Sequence, residues 1–195
     1  MISAVVLPAR RDRRGAEVDL FLPLNGKPAL QWLLESALVS TLGEIVCVVS
    51  DLKPARQKID LVAEKLFWIA NPAVAYGQNA TLAAGLWAIN PKSEGVMFLA
   101  GDQPFTQTEL IDALIKKFYQ SSAWMVAPRF NGKTLNPLLF RRELFPELLK
   151  LTGDRRERSL LTRYEKVAAL VQWKEERSFV VLKNHANLKR IREMV

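Results

Sequence analysis

The stretch Phe98-Leu99-Ala100-Gly101-Asp102-Gln103-Pro104 decides how this chain is read. The apolar run Val96 to Ala100 stops abruptly at a glycine followed by a carboxylate. A buried central strand that delivers a charged side chain to the carboxyl edge of a sheet has this pattern, and that edge is where open α/β sheets bind ligands. Gly, Asp and Pro each favour turns for local reasons, so the same residues also read as a plain turn. The segments on either side separate the two readings.

Upstream, Ala4 to Leu7 is a short apolar segment expected to be the first buried strand, followed by a polar, arginine-rich loop from Pro8 to Asp19. Leu20 to Leu24 is apolar, Asn25-Gly26 makes a turn, and Pro28 primes a helix with Ala29, Trp32, Leu33, Ser36 and Ala37 at helical spacing. Glu44 to Val49 reads as a strand. Pro54 opens a helix with Ile59, Val62, Ala63 and Leu66 on one face, and Phe67 to Ala70 reads as a short strand. A loop through Ala75 to Asn79 leads into a helix marked by Leu82, Leu86 and Ile89.

Downstream, Thr106 and Glu109 have capping-box spacing at the head of a helix that turns Leu110, Leu114, Ile115 and Phe118 inward. Trp124 to Ala127 is a strand. Strand and helix thus alternate over two thirds of the chain, which predicts a mostly parallel, doubly wound α/β sheet with right-handed crossovers. Beyond Ala127 the rhythm changes. Asn131-Gly132-Lys133 predicts a hairpin turn between Pro128 to Phe130 and Asn136 to Phe140, placed over the sheet edge. Short helices follow at Glu143 to Lys150 and Ser159 to Glu165, then strands at Val167 to Trp173 and Phe179 to Leu182, and a basic helix capped by Asn184.

Composition bounds the partners. The 195 residues, with no linker or repeat, are expected to form one domain, residues 1–195. No apolar run is long enough to cross a bilayer, and the first residues lack the pattern of a signal peptide, so a cytoplasmic protein is expected. Cys47 is the lone cysteine and lies in an apolar run, which predicts a buried small hydrophobe. The formal charge of +8 points to anionic partners. The basic groups, Arg10 to Arg14, Arg155 to Arg158 and Lys189 to Arg192, have no interleaved aromatics, so a nucleic-acid groove is not expected.

Several separated segments together resemble the MobA/MocA-like nucleotidyltransferases, and among them the molybdenum cofactor cytidylyltransferases. They are Leu22-Pro23-Leu24-Asn25-Gly26-Lys27-Pro28, Gly77-Gln78, Phe98 to Pro104, Asn136-Pro137-Leu138-Leu139-Phe140, and Gly153-Asp154 with Arg158-Ser159-Leu160-Leu161. The resemblance implies a Rossmann-like, nucleotide-diphospho-sugar transferase-like fold. It also implies transfer of a nucleotidyl group, usually cytidylyl, from a nucleoside triphosphate (CTP in that family) to the terminal phosphate of molybdopterin, with release of pyrophosphate. On the matching positions, Asp102 would hold Mg²⁺ and serve catalysis with Arg14. Arg10, Arg11, Gly77, Gln78, Gln103, Asn136 and Arg158 would meet the substrates.

The first loop departs from the family's form, Leu-Ala-Ala-Gly-x-Ser-x-Arg-Met-Gly-x-x-Lys. A gap-free match from Leu7 puts Arg10 at the first glycine, Asp12 at the serine, Arg14 at the arginine, Ala16 at the second glycine and Asp19 at the lysine. An arginine forbids the cheap positive φ that glycine allows, and an aspartate beside a triphosphate reverses an interaction worth about 4 kcal/mol at moderate dielectric. Near the C-terminus, Lys183, or Asn184 in the adjacent register, stands at the family's second metal ligand. Two functions remain open. In one, an active enzyme uses its loop arginines as phosphate forks, with Asp102 and Asp19 on the metal. In the other, the fold is kept, catalysis is lost, and the chain binds an anionic cofactor or a molybdoenzyme partner.

Overall fold

The computed structural model describes residues 1–7, 19–72, 78–150, 162–182 and 191. Strand β1 (Ile2–Leu7) is buried at every position, because helices cover both its faces. The chain then forms the small antiparallel ribbon β2 (Pro23–Leu24) and β3 (Lys27–Pro28), joined by Asn25 and Gly26 at positive φ. Pro28 caps helix α1 (Ala29–Val39), which buries Ala29, Leu30, Leu33, Leu34 and Ala37. Strand β4 (Glu44–Val49) follows, then helix α2 (Leu52–Lys58), strand β5 (Leu66–Ala70), helix α3 (Gln78–Ala88) and strand β6 (Gly95–Ala100). Helix α4 (Thr108–Gln120) leads to strand β7 (Met125–Phe130), the short β8 (Lys133–Thr134), β9 (Leu138–Arg141), helix α5 (Phe145–Lys150) and β10 (Ala169–Gln172).

The main sheet has the order β10-β7-β9-β6-β1-β4-β5, with β8 added to β7. β1, β4, β5 and β6 run parallel, β10 runs parallel to β7, and β9 runs antiparallel to both its neighbours. Helices α1, α2 and α4 bury their apolar faces on one side of the sheet, and α3 and α5 on the other. The chain is doubly wound, as the alternation of elements predicts. From β1 it goes outward through β4 to β5, then crosses back to β6 on the other side of β1. The carboxyl ends of β1 and β6 therefore flank the point where the winding reverses, which is the crevice in which open α/β sheets hold ligands.

Several local expectations change. Helix α2 ends at Lys58 rather than carrying on to Leu66, and Val62 is 99% exposed. Asp51 caps its start by accepting from Lys53 N–H at 2.9 Å, Ile59 is already extended, and the Leu66 N–H bonds Ala63 O as the chain turns into β5. Helix α4 starts from Gln107, not from a Thr106 capping box. The Thr106 hydroxyl donates to Gln103 O instead, and the Thr108 hydroxyl donates to Ser36 O on α1. The Asn131-Gly132 turn forms at the edge with both residues at positive φ, but the returning chain continues as β9 into the centre of the sheet, where Leu138, Leu139 and Phe140 are fully buried. The expected helix at Asn184 lies outside the described residues.

Candidate functional site at the switch point

Leu7 and Ala100 are the last paired residues of β1 and β6. The next amide, Gly101 N–H, bonds Leu7 O at 2.8 Å and closes the end of the ladder. A Cβ at Gly101 would lie 2.8 Å from that carbonyl oxygen and 3.0 Å from Leu20 Cδ1, so only glycine lets the strand ends meet this closely. Asp102 follows immediately, partly exposed, at the mouth of the crevice. The turn beyond it is pinned by its own backbone: Gln103 N–H bonds Ala100 O at 2.9 Å, and Gln103 O accepts from Thr106 N–H at 3.3 Å and the Thr106 hydroxyl at 3.2 Å. The strand-edge reading and the turn reading of this stretch both hold, since the turn is what presents the carboxylate.

Gln103 is 6% exposed, and its Oε1 is buried without a hydrogen-bond partner. Gln103, expected to meet the substrates, is instead nearly enclosed within the loop. Over the loop runs the segment after β10. A 3-10 turn at Glu176–Phe179 leads to an extended stretch whose Leu182 N–H donates to Asp102 O at 2.7 Å. The expected strand at Phe179 to Leu182 is thus a strap across the sheet end rather than a ladder strand. Lys183 and Asn184, expected at the second metal position, come next in sequence and lie outside the described residues.

On the β1 side, Asp19 makes a turn of its own: its Oδ1 accepts from Phe21 N–H at 2.9 Å while Leu22 N–H bonds Asp19 O at 3.2 Å. Leu20 O and Leu22 O then receive the Leu30 and Ala29 N–H groups, both at 2.9 Å, which fixes the ribbon to the head of α1. Lys27 forms an ion pair with Glu35 and lies 3.7 Å from the centre of the Trp32 ring. Gln78 is the first residue of α3. One turn along, Thr81 is fully buried and its hydroxyl has no partner, a feature its ordinary place in an apolar helix pattern did not signal. Arg10, Arg11, Arg14, Gly77 and Arg158 lie outside the described residues.

On the other side of Asp102, the Asn136-Pro137 peptide is cis and Asn136 is half-buried. Asn136 lies two residues beyond the Phe98–Leu138 pair, toward the carboxyl edge, so it stands one strand away from the Asp102 loop. Leu135 N–H bonds Pro128 O at 3.1 Å and ties this approach to β7. The structure therefore places Asp102, Gln103 and Asn136 on one sheet edge. Exposed Arg129, opposite Thr134 on the same edge, is a cation that the motif reading passed over.

Among the described residues no group of three or more His, Cys, Asp or Glu side chains converges on one point. These residues thus offer no all-protein cage, and a carboxylate beside a ligand crevice suits a hard cation that takes further oxygen ligands from substrate phosphates and water. Asp102 is the described residue at the crevice whose chemistry would suit such a cation. The buried carboxylate Glu44 is of another kind. It lies at the opposite, amino edge of the sheet and accepts from the Ser3 hydroxyl and Asn90 N–H, both at 2.5 Å, so it is consumed in holding β1, β4 and the chain after α3 together.

The doubly wound sheet with a carboxylate at its switch point defines an α/β protein of the kind that binds ligands at the carboxyl edge of its sheet. The chain belongs to the family of the MobA-like NTP transferase domain, which matches residues 4–167, and is a nucleotidyltransferase of that family. It is 30% identical over 169 residues to a protein of Methanosarcina acetivorans named probable molybdenum cofactor guanylyltransferase, spanning 82% of this chain and 72% of that one. In fold it is similar to Rv0371c of Mycobacterium tuberculosis, solved as a complex with manganese, with a TM-score of 0.79, 20% identity, and coverage of 100% of this chain and 99% of that one. It is likewise similar to a nucleotidyl transferase from Methanothermobacter, with a TM-score of 0.78, 20% identity, and coverage of 100% and 97%. No helix among the described residues is long and apolar enough to cross a membrane.

Proposed function

We propose that this protein transfers a nucleotidyl group from a nucleoside triphosphate to the terminal phosphate of molybdopterin. An acceptor phosphate oxygen attacks the α-phosphorus, a new P–O bond forms, the bond to the β-phosphate bridge breaks, and pyrophosphate leaves. The observation that carries this reading is Asp102 at the switch point, immediately after Gly101 closes the β1–β6 ladder. Two anions must approach each other there, so the charge they bring has to be offset. A divalent cation held by Asp102 would supply that offset, acting as a Lewis acid toward the phosphates. The chain's own part is to hold the cation through Asp102, to place the triphosphate on the β1 and α3 side, and to receive the acceptor on the Asn136 side. Arg10, Arg11, Arg14, Gly77, Gln78 and Arg158 are assigned to these tasks by their motif positions.

The motifs favour a cytidylyl donor, whereas the Methanosarcina relative bears a guanylyl name. The test decides both activity and base: α-³²P-labelled CTP and GTP are incubated separately with protein, Mg²⁺ and molybdopterin, and label is followed into a dinucleotide product. Transfer from either supports the reading, with the GTP arm expected to be the faster. No transfer from either nucleotide overturns it.

A second reading, in which catalysis is lost and an anionic cofactor or molybdoenzyme is bound instead, is favoured by one observation. Asp19, at the family's lysine position, spends its carboxylate on a local turn and offers no positive charge. Mg²⁺-independent binding of molybdopterin without pyrophosphate release supports that second reading.

A further inference from the structure

Four side chains from separate parts of the chain form a ladder beside the site, two aromatic rings with a cation at each end. Lys27 Nζ lies 3.7 Å from the Trp32 ring centre, the Trp32 and Phe105 rings meet edge to face with centres 6.3 Å apart, and the Arg177 guanidinium lies 4.9 Å from the Phe105 ring. Lys27 belongs to the ribbon, Trp32 to α1, Phe105 to the loop three residues past Asp102, and Arg177 to the 3-10 turn that opens the strap. Trp32 is further fixed by donating its indole N–H to Leu24 O at 3.1 Å.

Beneath the ladder, Leu24, Ala29, Phe105 and Leu182 form a small buried cluster separate from the two large cores, with Val180 packed against it. The strap has polar ties as well: the Ser178 hydroxyl donates to Gln107 Oε1 at 2.8 Å, and Leu182 N–H donates to Asp102 O at 2.7 Å. The last of these bonds the strap to the residue that carries the functional carboxylate. Whatever fixes the strap therefore fixes the backbone of Asp102.

We propose that Arg177 is a positioning residue for Asp102, acting through Phe105 and the strap rather than by touching either substrate. The inference rests on the nucleotidyl-transfer reading for its kinetic part only. A site in which the reacting groups must be held within a fraction of an ångström loses turnover when its scaffold loosens, while affinity for a triphosphate gripped elsewhere is unaffected. Arg177 is exposed, so its replacement leaves the core intact.

Arg177→Ala and Arg177→Lys are compared with the native chain by hydrogen exchange of the Leu182 amide in free protein and by steady-state kinetics. An exposed cation–π contact is worth a factor of about two to five. The Ala variant is expected to speed Leu182 exchange by that factor with core amides of β1 and β6 unchanged, and to lower kcat by a similar factor with the KM for the triphosphate unaltered. The Lys variant, which keeps a cation over the ring, is expected to restore both. Unchanged exchange and kcat in the Ala variant, failure of Lys to restore them, or loss of protection throughout the core would each overturn the proposal. If the native chain shows no transfer, the nucleotidyl-transfer reading fails by itself, and the Leu182 exchange alone decides whether the ladder holds Asp102.

Discussion

Two carboxylates show how position sets chemistry in this molecule. Glu44 is enclosed at the amino edge among donors, and Asp102 is partly open at the carboxyl edge where β1 and β6 part. Replacing Asp102 by Asn keeps the size of the side chain and removes its charge. Nucleotidyl transfer is expected to fall by about 100-fold or more, the scale seen when one electrostatic element of such a site is removed, while the thermal unfolding temperature moves little. Full activity in that variant would remove Asp102 from the mechanism. Cys47 illustrates the opposite case. Burial in β4 pushes its thiol well above the ordinary range, so almost no thiolate exists at neutral pH. A thiol reagent is expected to leave Cys47 unmodified in native protein and to label it stoichiometrically in denaturant; rapid labelling without denaturant would contradict its placement. Both residues were legible in sequence, one from the abrupt end of an apolar run and the other from its middle. Thr81 and Arg129 were not, because neither a buried hydroxyl without a partner nor an exposed cation on an edge leaves a local pattern.

Element packing explains where sequence periodicity misled. The spacing of Ile59, Val62 and Leu66 looks helical, but the chain must reverse to start β5, and Asp51 and Ile59 bracket only two turns of helix. The central position of β9 could not be read from hairpin chemistry at all, since it depends on which strands leave a gap between β6 and β7. Leu139→Ala removes a fully buried side chain from that strand and is expected to cost about 2–5 kcal/mol in urea unfolding; a cost below 1 kcal/mol would place β9 at the edge instead. Gly85 of α3 sits close against β1, where a Cβ would lie 2.2 Å from Val5 Cγ1. Gly85→Ala is expected to destabilise by about 1–3 kcal/mol. Adding Val5→Ala frees the space, so the double variant is expected to be more stable than the sum of the two single costs predicts. Strict additivity would show that α3 and β1 do not press together there.

For the whole molecule, alternation of buried strands and amphipathic helices was enough to predict the doubly wound sheet, because each element buries a face that only its neighbours can cover. The reversal between β1 and β6 then locates the site without any motif. Asp102 was legible in the same way, because it follows the apolar run of β6, whereas Gln103 and Asn136 came only from the motif resemblance. The strap was not, since Phe179 to Leu182 reads as an ordinary strand and only three-dimensional packing lays it over Asp102. The family gives the class of reaction, and the carboxylate at the crevice is the feature of the described site that bears on it. The most direct measurement is pyrophosphate release from GTP or CTP by native protein with Mg²⁺ and molybdopterin, alongside Asp102→Ala. Release that requires the acceptor and disappears in the variant is the predicted result; no release by native protein, with no Mg²⁺-dependent triphosphate binding by calorimetry, would contradict it.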